Sequence, residues 1–390
     1  MVKAGIDIVL ATPPSWRKKR IGLVTNDAAL TCRQISSRKA LQEGGFNLIK
    51  IFSPEHGLTA MGADGAPMQD QLDPLTLLPV ISLYGDKLAP AAEDLSDLDL
   101  LLFDIPDAGS RFYTYLWTLT YCLEVCALTQ TKLLVLDRPN PLSGLLSLAT
   151  GPFLDEEKCA SFIGRWSIPV RHSCTLGELA TFFNAEKRIG CELEVICCEN
   201  WHRHYFFTDT EWRFTPPSPA LQRFENMLFY PGTCLLEAAN LHEGRGTTNA
   251  FSLAAAPWLT PESLRHKLLL YGEAGVSFSE TTFVSTTTRY FNERCNGLCF
   301  SVSDARSFNP LHFGLLLVKS IKDLFPSFDW DVYPTAVNPS GQQHLDRLIG
   351  RSNAHEWFEL PIVEFQHLIT RECATAERWS EKVSQFLMYR

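Results

Sequence analysis

Leu100-Leu-Leu-Phe103 runs directly into Asp104-Ile-Pro-Asp107-Ala-Gly-Ser-Arg111-Phe-Tyr113-Thr-Tyr115. A short, unbroken apolar run of this kind is what a strand buried on both faces looks like, as in a parallel sheet covered by helices. The same arrangement recurs twice. Asn47-Leu-Ile-Lys-Ile-Phe52 ends in Ser53-Pro54-Glu55-His56-Gly57, and Leu133-Leu-Val-Leu136 ends in Asp137-Arg138-Pro139-Asn140-Pro141. In such sheets ligands bind in the crevice outside the carboxyl ends of the strands. Three strand ends carrying carboxylates, arginines and prolines therefore point to one shared site.

Outward from these stretches, the first half alternates. Ile21–Thr25 reads as a strand, and Ser36–Glu43 as a helix closed by Gly44-Gly45. Pro79–Tyr84 is extended, a helix follows near Tyr115–Leu128, and Leu193–Cys197 is a last strand. Thr175-Leu-Gly-Glu178 is a capping box opening a helix over Leu176–Lys187. This alternation predicts an α/β fold, a Rossmann-like, doubly wound and mostly parallel sheet. From Trp201 to Thr260 the chain turns to prolines, aromatics and polar turns. Thr260-Pro261-Glu262 starts a helix. Gly275–Phe278, Thr281–Ser285 and Leu298–Ser303 read as strands, Asn309-Pro310 opens a helix reaching about Phe325, and Glu377–Tyr389 has helical spacing. The second half is predicted to be a smaller α+β auxiliary domain. The boundary falls within 200–225, giving a catalytic unit over 1–215 and the auxiliary unit over 216–390.

The chain's 390 residues exceed the size at which one core stops growing, about 250–300 residues. At 45% hydrophobic and 20% charged it has the composition of an ordinary globular enzyme. A net charge of −9 argues against a nucleic-acid partner. No apolar run approaches a membrane span, and Met1–Leu10 does not read as a secretion signal. Twelve scattered cysteines without a Cys-x-x-Cys pair read as reduced core thiols, which fits a cytoplasmic location.

Glu55 follows a buried strand between Pro54 and His56, where a partly desolvated carboxyl can donate a proton near neutral pH. A structural Glu bonding loop amides is the competing reading. Asp104, Asp107 and Arg111 could bind a metal, orient sugar hydroxyls or pair with one another; Tyr113 follows them. Arg138 suits a bidentate grip on a carboxylate, beside an Asn140 stiffened by two prolines. His172 is either a donor or a satisfied structural histidine. A fourth element, Glu237-Ala-Ala-Asn240-Leu-His242-Glu243-Gly244-Arg245-Gly246-Thr247-Thr248, brings two carboxylates and an arginine together. It lacks the ending of a phosphate loop, and no Gly-x-Gly-x-x-Gly follows the first strand, so no dinucleotide cofactor is expected. The histidines lack a metal-ligand spacing, so no metal is expected either.

Taken together, these segments resemble the NamZ family of exo-β-N-acetylmuramidases, glycoside hydrolase family 171. The resemblance spans nearly the whole chain. It rests on Leu23-Val-Thr-Asn26, Pro54–Gly57, Tyr84-Gly85, the Asp104–Tyr115 segment, Leu136–Pro141, Arg171-His172, Pro217-Ser218-Pro219, Glu243–Thr247 and Ala256-Pro257-Trp258. It implies a Rossmann-like domain, an auxiliary domain and a cleft between them. It also implies release of terminal N-acetylmuramic acid from non-reducing ends of peptidoglycan fragments, so the partner is a small amino-sugar or muropeptide substrate. Glu55 matches the family's proposed catalytic acid. Glu237, Glu243 and Asp104 compete for the second carboxyl role that glycoside hydrolysis usually needs. The sugar's lactyl carboxylate calls for arginines, with Arg111, Arg138 and Arg245 as candidates. His56, Asp107, Tyr113, Asn140 and His172 complete the expected substrate contacts. A catalytically silent muropeptide-binding protein is the alternative. The chain departs from the family's usual residues at Pro106, Ser173, Ala220, Ala239 and His242, where Gln, Gly, Asn, Thr and Ser are common.

Overall fold

The alternation of the first half is realised as a seven-stranded sheet. A computed structural model describes residues 1–63, 66, 71–271 and 275–390. The strands are β1 (Ile21–Thr25), β2 (Leu48–Ser53), β3 (Gln71–Leu72), β4 (Pro79–Ser82), β5 (Leu100–Asp104), β6 (Lys132–Leu136) and β7 (Leu193–Ile196). Their spatial order is β3-β4-β2-β1-β5-β6-β7, and only β3 runs antiparallel to its neighbour. Every residue of β1 and β5 is buried, as their unbroken apolar runs require. The order reverses between β1 and β5, and Thr25 stands beside Asp104 at that reversal. The loaded strand ends thus open on one edge of a doubly wound sheet.

Helices α1 (Gly5–Ala11), α2 (Ser37–Glu43), α3 (Ala92–Leu95), α4 (Tyr115–Thr129) and α5 (Leu176–Glu186) belong to this half. The capping box at α5 is formed: Glu178 N donates to Thr175 Oγ1 at 3.2 Å and Thr175 N to Glu178 Oε2 at 3.0 Å. The second half holds α6 (Phe224–Thr233), β8 (Leu253–Ala256), α7 (Pro261–Leu269), β9 (Val276–Val284), β10 (Arg294–Val302), α8 (Pro310–Leu324), α9 (His344–Ile349), α10 (Ile362–Cys373) and α11 (Ala376–Val383). Its sheet is antiparallel in the order β8-β10-β9.

Two expectations change here. The strands expected at Gly275–Phe278 and Thr281–Ser285 are one strand, β9, paired with β10 along its whole length. As an edge strand it leaves Ser279 and Glu280 exposed, which made its polar middle look like a break. The C-terminal helix stops at Val383, short of Tyr389, and gives way to a 3-10 turn, Ser384–Phe386.

The residues after that turn return to the first half. Met388 N donates to Glu178 Oε1 at 3.0 Å, and Tyr389 Oη donates to Asp137 Oδ2 at 2.5 Å. One apolar core runs from Val24 to Val383 through both halves. Within it α6 and α8 cross at paired glycines. A Cβ on Gly314 would lie 2.3 Å from Gly232 O, and one on Gly232 would lie 1.8 Å from Pro310 O. That contact sets the position of the turn Cys234–Ala238, which follows α6 and carries Glu237.

Candidate active site

At the end of β2 the chain makes a sharp turn, with Gly57 N donating to Pro54 O at 3.0 Å. His56 and Gly57 both take left-handed conformations, φ +66° and +69°. A histidine tolerates this region better than a β-branched residue, and the glycine adopts it freely. The His56 ring is fixed by Nδ1, 3.0 Å from Gly62 O. A carbonyl only accepts, so Nδ1 carries the proton. The turn projects Glu55 into a cleft shared with Tyr113, Tyr230, Glu237 and Arg245. Glu55 is only 6% exposed, and its Oε2 accepts from Thr114 Oγ1 at 2.7 Å, just before α4.

Glu237 also lines this cleft, carried by the second half. Its Oε1 accepts from Arg245 Nη2 at 2.6 Å, and its Oε2 lies 3.0 Å from His344 Nε2. His344 stacks on Tyr333 with ring centroids 4.6 Å apart. Arg245 Nε lies 2.9 Å from Glu243 Oε1. Glu243 stands behind Arg245 rather than on the cleft. Burial pushes its carboxyl up; Arg245 pulls it down and Glu237 adds to the rise. Tyr113 and Tyr230, nearly perpendicular at 6.1 Å, supply aromatic surface. Burial raises the Tyr113 phenol well above its ordinary value.

Five of the expected residues therefore line the cleft: Glu55, His56, Tyr113, Glu237 and Arg245. The others sit outside it. Asp104 is fully buried in a fork with Arg138, Nε to Oδ1 at 2.6 Å and Nη2 to Oδ2 at 3.0 Å. Arg138 also donates to Leu30 O at 2.9 Å and Ser37 Oγ at 3.1 Å, tying β5 to the segment after β1. Arg111, expected as an anion grip, instead donates to three carbonyls: Pro152 at 2.6 Å, Ile168 at 2.9 Å and Leu348 at 2.8 Å. Burial and Arg351 draw its guanidinium down to about 9. His172 is fully buried, with Nε2 3.2 Å from Asp107 Oδ2. Asn140 joins Cys174 O and Leu142 N, both at 2.8 Å. These residues build the floor beneath the site. Sequence reasoning missed His344, Tyr333 and Thr114. His344 carries no local signal, because its meeting with Glu237 is purely tertiary.

The family model of the exo-β-N-acetylmuramidase NamZ N-terminal unit matches residues 21–225, and that of the C-terminal unit matches 228–389. The chain belongs to the NamZ family. It is 35% identical over 396 residues to the peptidoglycan β-N-acetylmuramidase NamZ of Bacillus subtilis (strain 168), covering 100% of this chain and 91% of that protein. Crystal structures of two DUF1343 family proteins from Bacteroides fragilis NCTC 9343 match it with TM-scores of 0.86 and 0.76, at 25% and 26% identity. Each comparison covers 100% of this chain and 99% of the other.

Against the usual NamZ residues, only one of the five departures faces the cleft, Ala220. Pro106 lines a different hollow with Arg138 and Phe207. Ser173 holds φ +51°, a left-handed conformation that glycine adopts freely. Ala239 is fully buried beside Trp330. His242 accepts from Gly244 N at Nδ1, 2.9 Å, and turns Nε2 to Ser285 Oγ at 3.0 Å. Burial, then Arg289 and Arg245, depress it to about 4. Among the described residues no group of three His, Cys, Asp or Glu is arranged to hold a metal, and no helix is long and apolar enough to cross a membrane.

Proposed function

We propose that this chain is an exo-acting glycoside hydrolase that releases terminal, non-reducing N-acetylmuramic acid from peptidoglycan fragments, with Glu55 as general acid. The observation that carries this reading is the pair of carboxyls, Glu55 and Glu237, brought to one cleft from the two halves of the chain. Glycoside hydrolysis through an oxocarbenium-like transition state needs one carboxyl to protonate the leaving oxygen and a second to assist attack at the sugar carbon. Glu55, held by Thr114, gives its proton to the glycosidic oxygen. Glu237, hydrogen-bonded on both oxygens, has the surroundings of an ionised carboxylate and takes the second role. Glu243 supports it through Arg245. Of the three candidate arginines, Arg245 is the one on the cleft, so it attracts the lactyl carboxylate. Family membership and the relative in Bacillus subtilis support the substrate class.

On this reading residues 1–215 form the catalytic unit and 216–390 the auxiliary unit that completes the cleft. The twelve cysteines are all unpaired, which supports a reducing, cytoplasmic setting and soluble muropeptides as substrates. The test is turnover of a chromogenic N-acetylmuramide. Wild type is expected to release the aglycone, and Glu55→Gln to lose at least about 100-fold in kcat. Tight binding of muropeptide without turnover by the wild type, or an unimpaired Glu55→Gln, overturns the reading.

A further inference from the structure

A second cavity, about 420 Å³ and open to solvent, lies between Ser147–Thr150 and Arg171 on one side and Arg306–Asn309 and Cys373–Glu377 on the other. It shares no lining residue with the active-site cleft. Three features of its wall favour negative charge.

The first is Arg171, 3% exposed. Its Nη2 donates to Leu142 O, while Nε, closed off from solvent, has no hydrogen-bond partner, and burial alone shifts the group, with no charged neighbour acting on it. The Phe206 ring, 5.7 Å from Cζ, offers only partial compensation. Burial draws the group down to about 10, so it stays cationic at neutral pH. A buried cation without a counter-charge is costly. The second is the start of α11. Its N-cap, Thr375, has no side-chain cap bond, is 9% exposed, and its Oγ1 has no partner. The first N–H groups of that helix therefore keep their donors and partial positive charge. The third is Arg306 on the rim, 60% exposed and held loosely to Asp209 at 3.4 Å. The N-terminus of α8 also abuts the cavity through Asn309, whose Oδ1 caps His312 N at 3.2 Å. Glu377 is the one acidic residue in the lining, against two arginines.

We propose that this cavity binds an oxyanion, a phosphate or carboxylate group of a small ligand, with Arg171 and the first turn of α11 as its floor and Arg306 as its rim. The chemistry is that of a guanidinium and free backbone N–H groups converging on shared oxygens.

The test is thermal unfolding of the full chain, titrated with inorganic phosphate or acetate at constant ionic strength, with chloride as reference. A saturable rise in Tm above the chloride curve is expected. A response to phosphate alone assigns the site to phosphate ligands; one to acetate alone assigns it to carboxylates. Arg306→Gln should weaken the apparent Kd about two- to tenfold. Arg171→Gln should abolish the response. Arg306 is exposed, so its variant remains informative if Arg171→Gln fails to fold. Glu55→Gln and Arg245→Gln should keep the full response. The proposal is overturned if neither anion exceeds chloride, if Arg306→Gln leaves the curve unchanged, or if the active-site variants remove it. Turnover plays no part, so the result stands apart from the glycosidase assignment.

Discussion

At Glu55 the useful property is orientation. Thr114 Oγ1 is the hydrogen-bond partner that fixes one carboxyl oxygen. In Thr114→Val the carboxyl loses that restraint while the cleft keeps its shape. We expect kcat to fall about tenfold with KM nearly unchanged, the signature of an interaction that matters for geometry in the transition state. A matching rise in KM would instead mean that Thr114 shapes the pocket. His242 offers a test in stability rather than rate. Its ring sits near 4 in the folded chain and near 6.5 when unfolded. Between those values the unfolded chain takes up a proton that the native one refuses, so this contribution is complete above pH 6.5 and is lost as pH falls toward 4. Asp137, which burial lifts to about 6 from 3.8, works the other way across an overlapping window. Its stabilisation grows as pH falls from 6. The two offset one another in the wild type. His242→Ser should therefore gain on the wild type as pH drops from 6.5 to 4, by at most about 3 kcal/mol, read from urea midpoints at each pH. A constant difference across that range would mean that His242 is not held neutral by its surroundings.

Among the elements, those buried on both faces announced themselves. β1 and β5 are buried along their whole length and β6 from Leu133 to Leu136, because the sheet packs apolar side chains on either side, whereas Lys50 interrupts the apolar run of β2. β8 did not, because Leu253-Ala-Ala-Ala256 has no β-branched or aromatic residue and becomes a strand only through its pairing with β10. α6 stayed hidden for a different reason. Pro231 lies inside it, and a proline in a helix interior removes a hydrogen bond that packing must offset. That packing is the crossing with α8 at Gly232 and Gly314. Gly314→Ala would place its methyl carbon 2.3 Å from Gly232 O, so the helices must separate. We expect a loss of about 2–4 kcal/mol in unfolding free energy. Activity should fall as well, since the turn carrying Glu237 follows α6 directly. Unchanged chemical denaturation of Gly314→Ala would show that the crossing can relax without penalty.

On the scale of the whole molecule, the site was legible where it depends on strand ends and obscure where it depends on distant partners. Glu55, Glu237 and Arg245, which line the candidate cleft, stood out because carboxylates and arginines cluster next to turns. Arg111 and Arg138 share those turns, yet their guanidiniums point into the fold. Sequence does not show that Pro152, Ile168 and Leu348 bring carbonyls to Arg111 from three separate segments. The core has the same character. It draws on both halves, and Met388 and Tyr389 bond back to Glu178 and Asp137 beside the first sheet. A fragment of residues 1–225 should therefore lack cooperative unfolding and bind a hydrophobic dye, where the full chain melts in one transition. A sharp melt of that fragment would show that the first half closes its own core. The family models meet between residues 225 and 228, but the interior does not divide there. Such a molecule resists recombination. A chimera joining halves from two relatives would have to match Gly232 against a foreign α8 and Asp137 against a foreign arm. Neither half would then carry its fold into a new partner without the other.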